Sequence, residues 1–184
     1  MGRTLGAIDK AAREFIAAQR MFFVATAPVA ADGHINISPK GHADTFAVLD
    51  DRTVAYLDLT GSGAETAAHV RENGRITVMF CAFEGGPNIL RLFGTGRLIP
   101  AGTPEYDAVA GAFPQRSGAR AVMVVDVHRV AMSCGFAVPY YDYAGDRDLL
   151  EAWAEARTPD RIRTYRNEKN RTSIDGLPAF DPAD

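Results

Sequence analysis

Hydrophobic residues change their period several times along this chain, and each change predicts an element. Ile8, Ala12, Phe15 and Ile16 recur at helical spacing, so Asp9 to Gln19 reads as a helix with Asp9 as its N-cap. The run MFFVAT, Met21 to Thr26, reads as a strand. A turn over Pro28 to Gly33 follows. In GHINISPKG, Ile35 and Ile37 then fall on one face and Asn36 and Ser38 on the other, as a strand requires. Pro39 has no N–H for a ladder, so pairing is expected to stop there, and Gly41 lets the chain turn or a ligand approach. Thr45 to Leu49 and Thr53 to Leu59 form a hairpin around Asp50-Asp51. Gly63 to Glu72 is helical and stops at Asn73-Gly74, with Ser62 and Glu65 spaced as a capping box.

Three strands complete the pattern: Arg75 to Phe83, Ile89 to Ile99 and Ala121 to Met132. Gly94 and Gly96 inside the second predict a bulge or a close approach of backbone or ligand. Pro104 to Ala112 is a short helix, and Arg147 to Arg157 and Arg161 to Asn170 are helices near the C-terminus. Trp153, Leu149 and Leu150 are expected to pack one helix face onto the body, and the remainder reads as an irregular tail. About seven strands joined mostly by short turns favour an antiparallel sheet, and the shortage of helices to cover it favours closure into a barrel. The fold class is therefore mainly β, α+β in detail. Residues 1–184 form one domain, with 145–184 as a helical extension and tail.

Charge and composition exclude several functions. A net charge of −3 argues against a nucleic-acid partner, which selects a basic face. No apolar run approaches the roughly 20 residues of a membrane span. Asp9, Lys10, Arg13 and Glu14 stand where an export signal needs apolar residues, so a cytoplasmic location is expected. Cys81 and Cys134 are too few for a disulfide framework and read as reduced, buried thiols. His34, His42, His69 and His128 have no partner at ligand spacing, so no metal site is expected.

Two stretches carry candidate chemistry. In LTGSG a strand runs into Thr60, Gly61, Ser62 and Gly63 and a helix follows, an arrangement that serves either as a plain capped helix start or as an anion site. Gly61, Gly63 and Thr66 miss the dinucleotide fingerprint at its third glycine, and the strand–helix alternation of a doubly wound sheet is lacking. In SPKG, Lys40 stands at a strand end, either solvated or as a point charge suited to phosphate. Tyr140, Tyr141 and Tyr143 either wall a substrate pocket or pack on the surface.

Taken in order, FFVAT, SPKG, LTGSG, the helix end RENG, RITVMF and ILRLFGTGR resemble the pyridoxamine 5′-phosphate oxidase family of flavin-binding split barrels, from about Phe15 to Val130. The segments SCGFAVP and SIDGLP are similar to those of an uncharacterised subgroup of that family. The resemblance implies an antiparallel split β-barrel with peripheral helices, forming a homodimer with two FMN molecules in clefts at the interface. It places Asn36, Ser38, Pro39, Lys40 and Gly41 along the flavin ring, and Lys40, Thr60, Ser62, Gly63 and Thr66 near the ribityl phosphate. Arg91 matches a family arginine that reaches phosphate or ring.

Two departures narrow the reading. Glu65 and Thr66 stand where oxidase-type members carry an Arg-Lys pair, and the tail lacks the family's Arg-x-His element for pyridoxal phosphate. The expectation is an FMN-dependent oxidoreductase on a small organic substrate other than pyridoxamine phosphate, with no catalytic residue assigned. The alternatives are an F420-dependent reductase and a flavin- or haem-binding module without turnover.

Overall fold

A computed structural model describes residues 2–181. Its centre is one antiparallel sheet. The strands are β1 (Arg3–Leu5), β2 (Phe22–Thr26), β3 (Asn36–Lys40), β4 (Phe46–Val48), β5 (Thr53–Leu59), β6 (Arg75–Cys81), β7 (Asn88–Pro100) and β8 (Ala119–Cys134). They pair in the order β3-β2-β6-β7-β8-β5-β4, with β1 added to β8. The helices are α1 (Lys10–Ala18), α2 (Glu65–Asn73), α3 (Pro104–Ala110), α4 (Leu149–Glu155) and α5 (Pro159–Lys169).

The sheet curls until its two ends face each other. β2 and β4 lie near opposite ends of the strand order, yet the rings of Phe22 and Phe46 meet edge to face at 5.0 Å. Phe80 and Tyr56 join them, so four aromatic side chains from β2, β4, β5 and β6 fill the barrel interior. Such edge-to-face packing adds about 0.5–1.5 kcal/mol per pair beyond the area buried. The edge strands β3 and β4 do not pair, which leaves the barrel split. This is the antiparallel split barrel with peripheral helices that the sequence predicts.

The near-continuous apolar run in β8 has a simple cause. Val122 and Val124 pack with Ala55, Leu57, Ile99 and Phe113 under α3, while Met123 and Val125 face the interior. Both faces of β5 and β8 are covered, so both carry hydrophobic residues. In α1, the Asp9 side chain accepts the Ala12 N–H at 2.8 Å, and Ile8, Ala12 and Ile16 enter the core as their spacing predicts. In α2, Gly74 closes the helix at φ +71° with its N–H on Val70 O, a left-handed geometry that favours glycine.

Several expectations need correction. β1 has only three residues, too few for a periodic signal, and gains its strand character by pairing with Val130–Met132. β3 does not stop at Pro39: Pro39 pairs opposite Phe23 and Lys40 opposite Phe22. Proline is tolerated because β3 is an edge strand whose other side has no partner strand among the described residues. Trp153 meets Tyr165 of α5, with ring centroids 4.8 Å apart, and Arg157 lies over its ring; Leu149 is exposed, while Leu150 reaches a cavity beside β5 and β8. Cys134 is exposed at the end of β8, whereas Cys81 is buried. Over the described residues the tail is irregular, as expected, but it is packed against the body. Thr172 and Pro178 form a bridge, and Ala179 and Phe180 are buried against Ala64, Ala67 and Ala68 of the α2 region. Residues 182–184 of the expected irregular tail lie outside the described residues.

The register of β7 against β8 shifts between Phe93 and Gly94. A Cβ on Gly94 would lie 2.5 Å from Asp126 O and 2.6 Å from Val125 Cγ1. Gly94→Ala is therefore expected to destabilise the fold by about 1–3 kcal/mol, the usual scale of overpacking. Gly41→Ala, which meets open space, is expected to stay within about 0.5 kcal/mol. Urea unfolding of both variants checks the contrast.

Candidate functional site

The split between the sheet edges, roofed by the start of α2, leaves a cavity of about 270 Å³. Ser38, Pro39, Lys40 and Gly41 line it from β3 and the turn after it, and Gly63, Glu65 and Thr66 line it from the α2 end. Tyr56, Leu57, Asp58 and Leu59 of β5, Leu98 of β7, and Arg120 and Met123 of β8 add to it, with His42 and Thr45 after β3 and Leu150 of α4 at its margin. Its lining is mixed, with polar and apolar surface in nearly equal shares, and the polar groups converge from several elements.

The alternation along β3 explains how polar groups reach this space. Ile35 and Ile37 point outward and are 73% and 68% exposed. Asn36, Ser38 and Lys40, on the other face, point toward the interior. Ser38 donates to Asn36 Oδ1 at 3.0 Å. Asn36 donates to Thr66 Oγ1 at 2.9 Å and to Thr26 Oγ1 at 3.3 Å, and Thr26 Oγ1 meets the buried His69 Nδ1 at 3.0 Å. This ladder ties β3 to α2.

The strongest electrostatic feature is Asp58. It is buried, and its carboxylate takes Arg120 Nε at 2.6 Å and Lys40 Nζ at 3.1 Å. Burial alone pushes the Asp58 carboxyl up, but the Arg120 and Lys40 charges outweigh it and hold it at about 2. Arg120 also donates to Gly61 O at 3.3 Å and Gly63 O at 2.9 Å, and lies over the Phe180 ring at 4.6 Å. Beside this cluster is Tyr56, fully buried, whose hydroxyl has no hydrogen-bond partner among the described residues. Burial pushes that hydroxyl well above its ordinary 10, so it stays neutral.

The structure brings together Ser38, Pro39, Lys40, Gly41, Gly63 and Thr66 of the residues singled out from sequence. Asn36 stands one hydrogen bond behind them. Thr60 does not line the cavity: its hydroxyl donates to Gly118 O at 2.7 Å and accepts from Arg166 Nε at 3.0 Å. Ser62 lies on a shallow groove with Trp153 and Tyr165 and is not the α2 cap, a position held by Ala64 without a side-chain bond. The Glu65 carboxylate accepts the Ala64 N–H instead, at 3.1 Å. Arg91 sits elsewhere on the sheet and donates to Ser133 Oγ at 3.0 Å.

Tyr56, Asp58 and Arg120 went unnoticed in the sequence. Asp58 inside the apolar run VAYLDL, and Arg120 just before AVMVV, were the available signals: a lone charge inside a buried strand needs a partner. Tyr141 and Tyr143 line a separate groove with Phe23 and Phe83, sharing no residue with the first cavity.

Asp58→Asn would leave Arg120 and Lys40 without their counter-charge in a buried place. The expected cost is about 3–5 kcal/mol, read from urea unfolding at neutral pH. Because the folded Asp58 carboxyl is held below its ordinary 3.8, the stability it contributes is present above that value and lost as pH falls toward 2. The contribution is on the order of 2 kcal/mol. Acid unfolding of Asp58→Asn should therefore lack this component.

The comparisons with known proteins agree with this architecture. The family model described as pyridoxamine 5′-phosphate oxidase matches residues 8–134. The Aspergillus flavus pyridoxamine 5′-phosphate oxidase family protein ustO is 42% identical over 187 residues, covering 93% of this chain and 75% of that protein. Among solved structures, a variant of HupZ from Group A Streptococcus aligns with a TM-score of 0.52 at 27% identity, over 67% of this chain and 97% of that one. A Lactobacillus delbrueckii protein provisionally assigned as a pyridoxamine 5′-phosphate oxidase shares the fold, with a TM-score of 0.53 at 16% identity over 68% of this chain and 94% of that one. With the family model covering most of the chain and the fungal relative matching nearly all of it, the chain belongs to the pyridoxamine 5′-phosphate oxidase family.

Proposed function

We propose that this chain is a flavin-dependent oxidoreductase, with FMN as the first candidate cofactor, acting on a small organic substrate. The observation that carries the reading is the Tyr56 hydroxyl, buried and unpartnered beside a cavity of mixed polar and apolar lining that also holds Lys40. A buried hydroxyl without a partner costs free energy, so a ligand that supplies one is favoured there. The donor set fits a flavin ring: Leu57, Leu98 and Met123 offer apolar contact, while Ser38, Lys40, Tyr56 and Thr66 offer polar contact at the margin. Family membership supports the same class.

A bound flavin would supply hydride chemistry. The protein's share is binding and electrostatics. Lys40 holds a fixed positive charge at the cavity, oriented by Asp58. Arg120 braces the Gly61–Gly63 loop.

The proposal includes a homodimer. Its support is the edge strand β3, where Ile37 and, just before the strand, Ile35 are exposed, an arrangement that soluble chains usually cover. Light scattering is expected to give about twice 19.9 kDa; a clean monomer would remove this part.

The first test is an absorbance spectrum of the purified protein after gel filtration with FMN, F420 or haem. Retained flavin bands that bleach with NAD(P)H and return with an acceptor support the oxidoreductase. Retention of F420 alone, or of haem alone, or flavin that never cycles, would each overturn it in favour of the corresponding alternative. Tyr56→Phe gives a sharper check. It should weaken flavin binding about fivefold, the scale of one lost hydrogen bond. It should leave the cofactor-free melting temperature unchanged or raised, because no partner is lost within the protein.

A further inference from the structure

The α2 N-terminus already holds an anion that belongs to the protein. Glu65 opens the helix and folds its carboxylate back: Oε2 accepts from Ala64 N–H and Oε1 from Ile174 N–H, each at 3.1 Å. The second donor comes from the C-terminal tail, which is fixed at several points. Asn170 is fully buried and donates to Gly61 O at 2.8 Å. Asp175 accepts from His34 N–H at 2.8 Å, and its other oxygen lies 2.6 Å from His34 Nδ1. Arg71 donates to Ala179 O at 2.6 Å, and Phe180 lies under Arg120. The Glu65 carboxylate is therefore built into the fold.

The charges around the cavity are also spoken for. The ionised side chains that line it are Lys40 and Arg120 against Asp58 and Glu65, which sum to zero. All three nitrogens of the Arg120 guanidinium are engaged, with Asp58, Gly61 O and Gly63 O. A phosphate dianion entering here would meet a carboxylate at the helix end where the dipole would otherwise favour it.

Resting on the flavin reading above, we infer that Glu65 is a specificity residue that makes recognition independent of a terminal phosphate. The cavity takes the flavin by its ring and ribityl chain, and a phosphomonoester adds no affinity. Riboflavin and FMN are then equivalent ligands, which sets this chain apart from one that grips its cofactor by phosphate.

The test is equilibrium titration of the full chain with riboflavin and with FMN, read by flavin fluorescence at neutral pH and low salt, for the wild type, Glu65→Gln and Glu14→Gln. Glu65→Gln removes the charge and keeps one acceptor oxygen, enough for one of the Ala64 and Ile174 N–H groups. Glu14→Gln removes a carboxylate from the exposed face of α1. The wild type is expected to bind the two ligands within about threefold. Glu65→Gln should leave riboflavin unchanged and tighten FMN roughly tenfold, the effect of deleting one nearby like charge. Glu14→Gln should leave the ratio unchanged. A wild type that prefers FMN by more than about tenfold overturns the inference and leaves the flavin reading intact. The same holds for a ratio that Glu65→Gln does not move or that Glu14→Gln moves equally. If neither ligand binds, the flavin reading itself falls, and this inference with it. The wild-type ratio decides even if a variant fails to fold.

Discussion

The structure depends on one buried carboxylate. Asp58 stands near the end of β5 and joins a cation from the edge strand β3 to a cation from β8. Removing three charges from water is costly, and mutual attraction offsets that cost only when the geometry is close and the remaining donors are satisfied. Both conditions hold here. Arg120 spends its other donors on the Gly61 and Gly63 carbonyls, which shapes the loop that starts α2. Lys40, held by the same carboxylate, keeps the end of β3 across from β5 although those strands do not pair. A single ionic cluster thus does across the split what a hydrogen-bond ladder does elsewhere in the sheet.

The cavity exists because the barrel does not close. A closed sheet would have joined β3 to β4 with ladder bonds, whereas the open edge turns Ser38 and Lys40 toward the cavity. β3 reverses the ordinary rule, with its polar residues inward and its isoleucines outward. That reversal is consistent with one face serving a ligand and the other serving a partner surface. Covering the helix end with the tail completes the arrangement: Phe180 seats on Arg120, and Ile174 fixes Glu65. The family relationship accounts for the barrel, and Glu65, held by the tail, adds a negative charge to the cavity wall.

Local pattern alone determined a good deal. The N-cap Asp9, the stop at Gly74, the β4–β5 hairpin and the long strands β6 to β8 follow from spacing and turn chemistry, because each rests on neighbours a few residues away. Gly94 announced its bulge for the same reason. Segment order further pointed to the split barrel and to the part of β3 and α2 that meets at the cavity.

Only the tertiary structure decided the rest. Asp58, Arg120 and Lys40 are brought together by contacts spanning 18 and 62 positions, which no local period encodes. The strand character of β1 and the packing of the tail likewise come from distant partners, Val130–Met132 and the α2 region. Ser62 and Glu65 were spaced as a capping box, but a tail more than a hundred residues away claimed the Glu65 carboxylate and changed what that helix end offers a ligand. Spacing specifies which groups are available; long-range packing specifies which of them are already satisfied, and that difference separates a phosphate site from a capped helix.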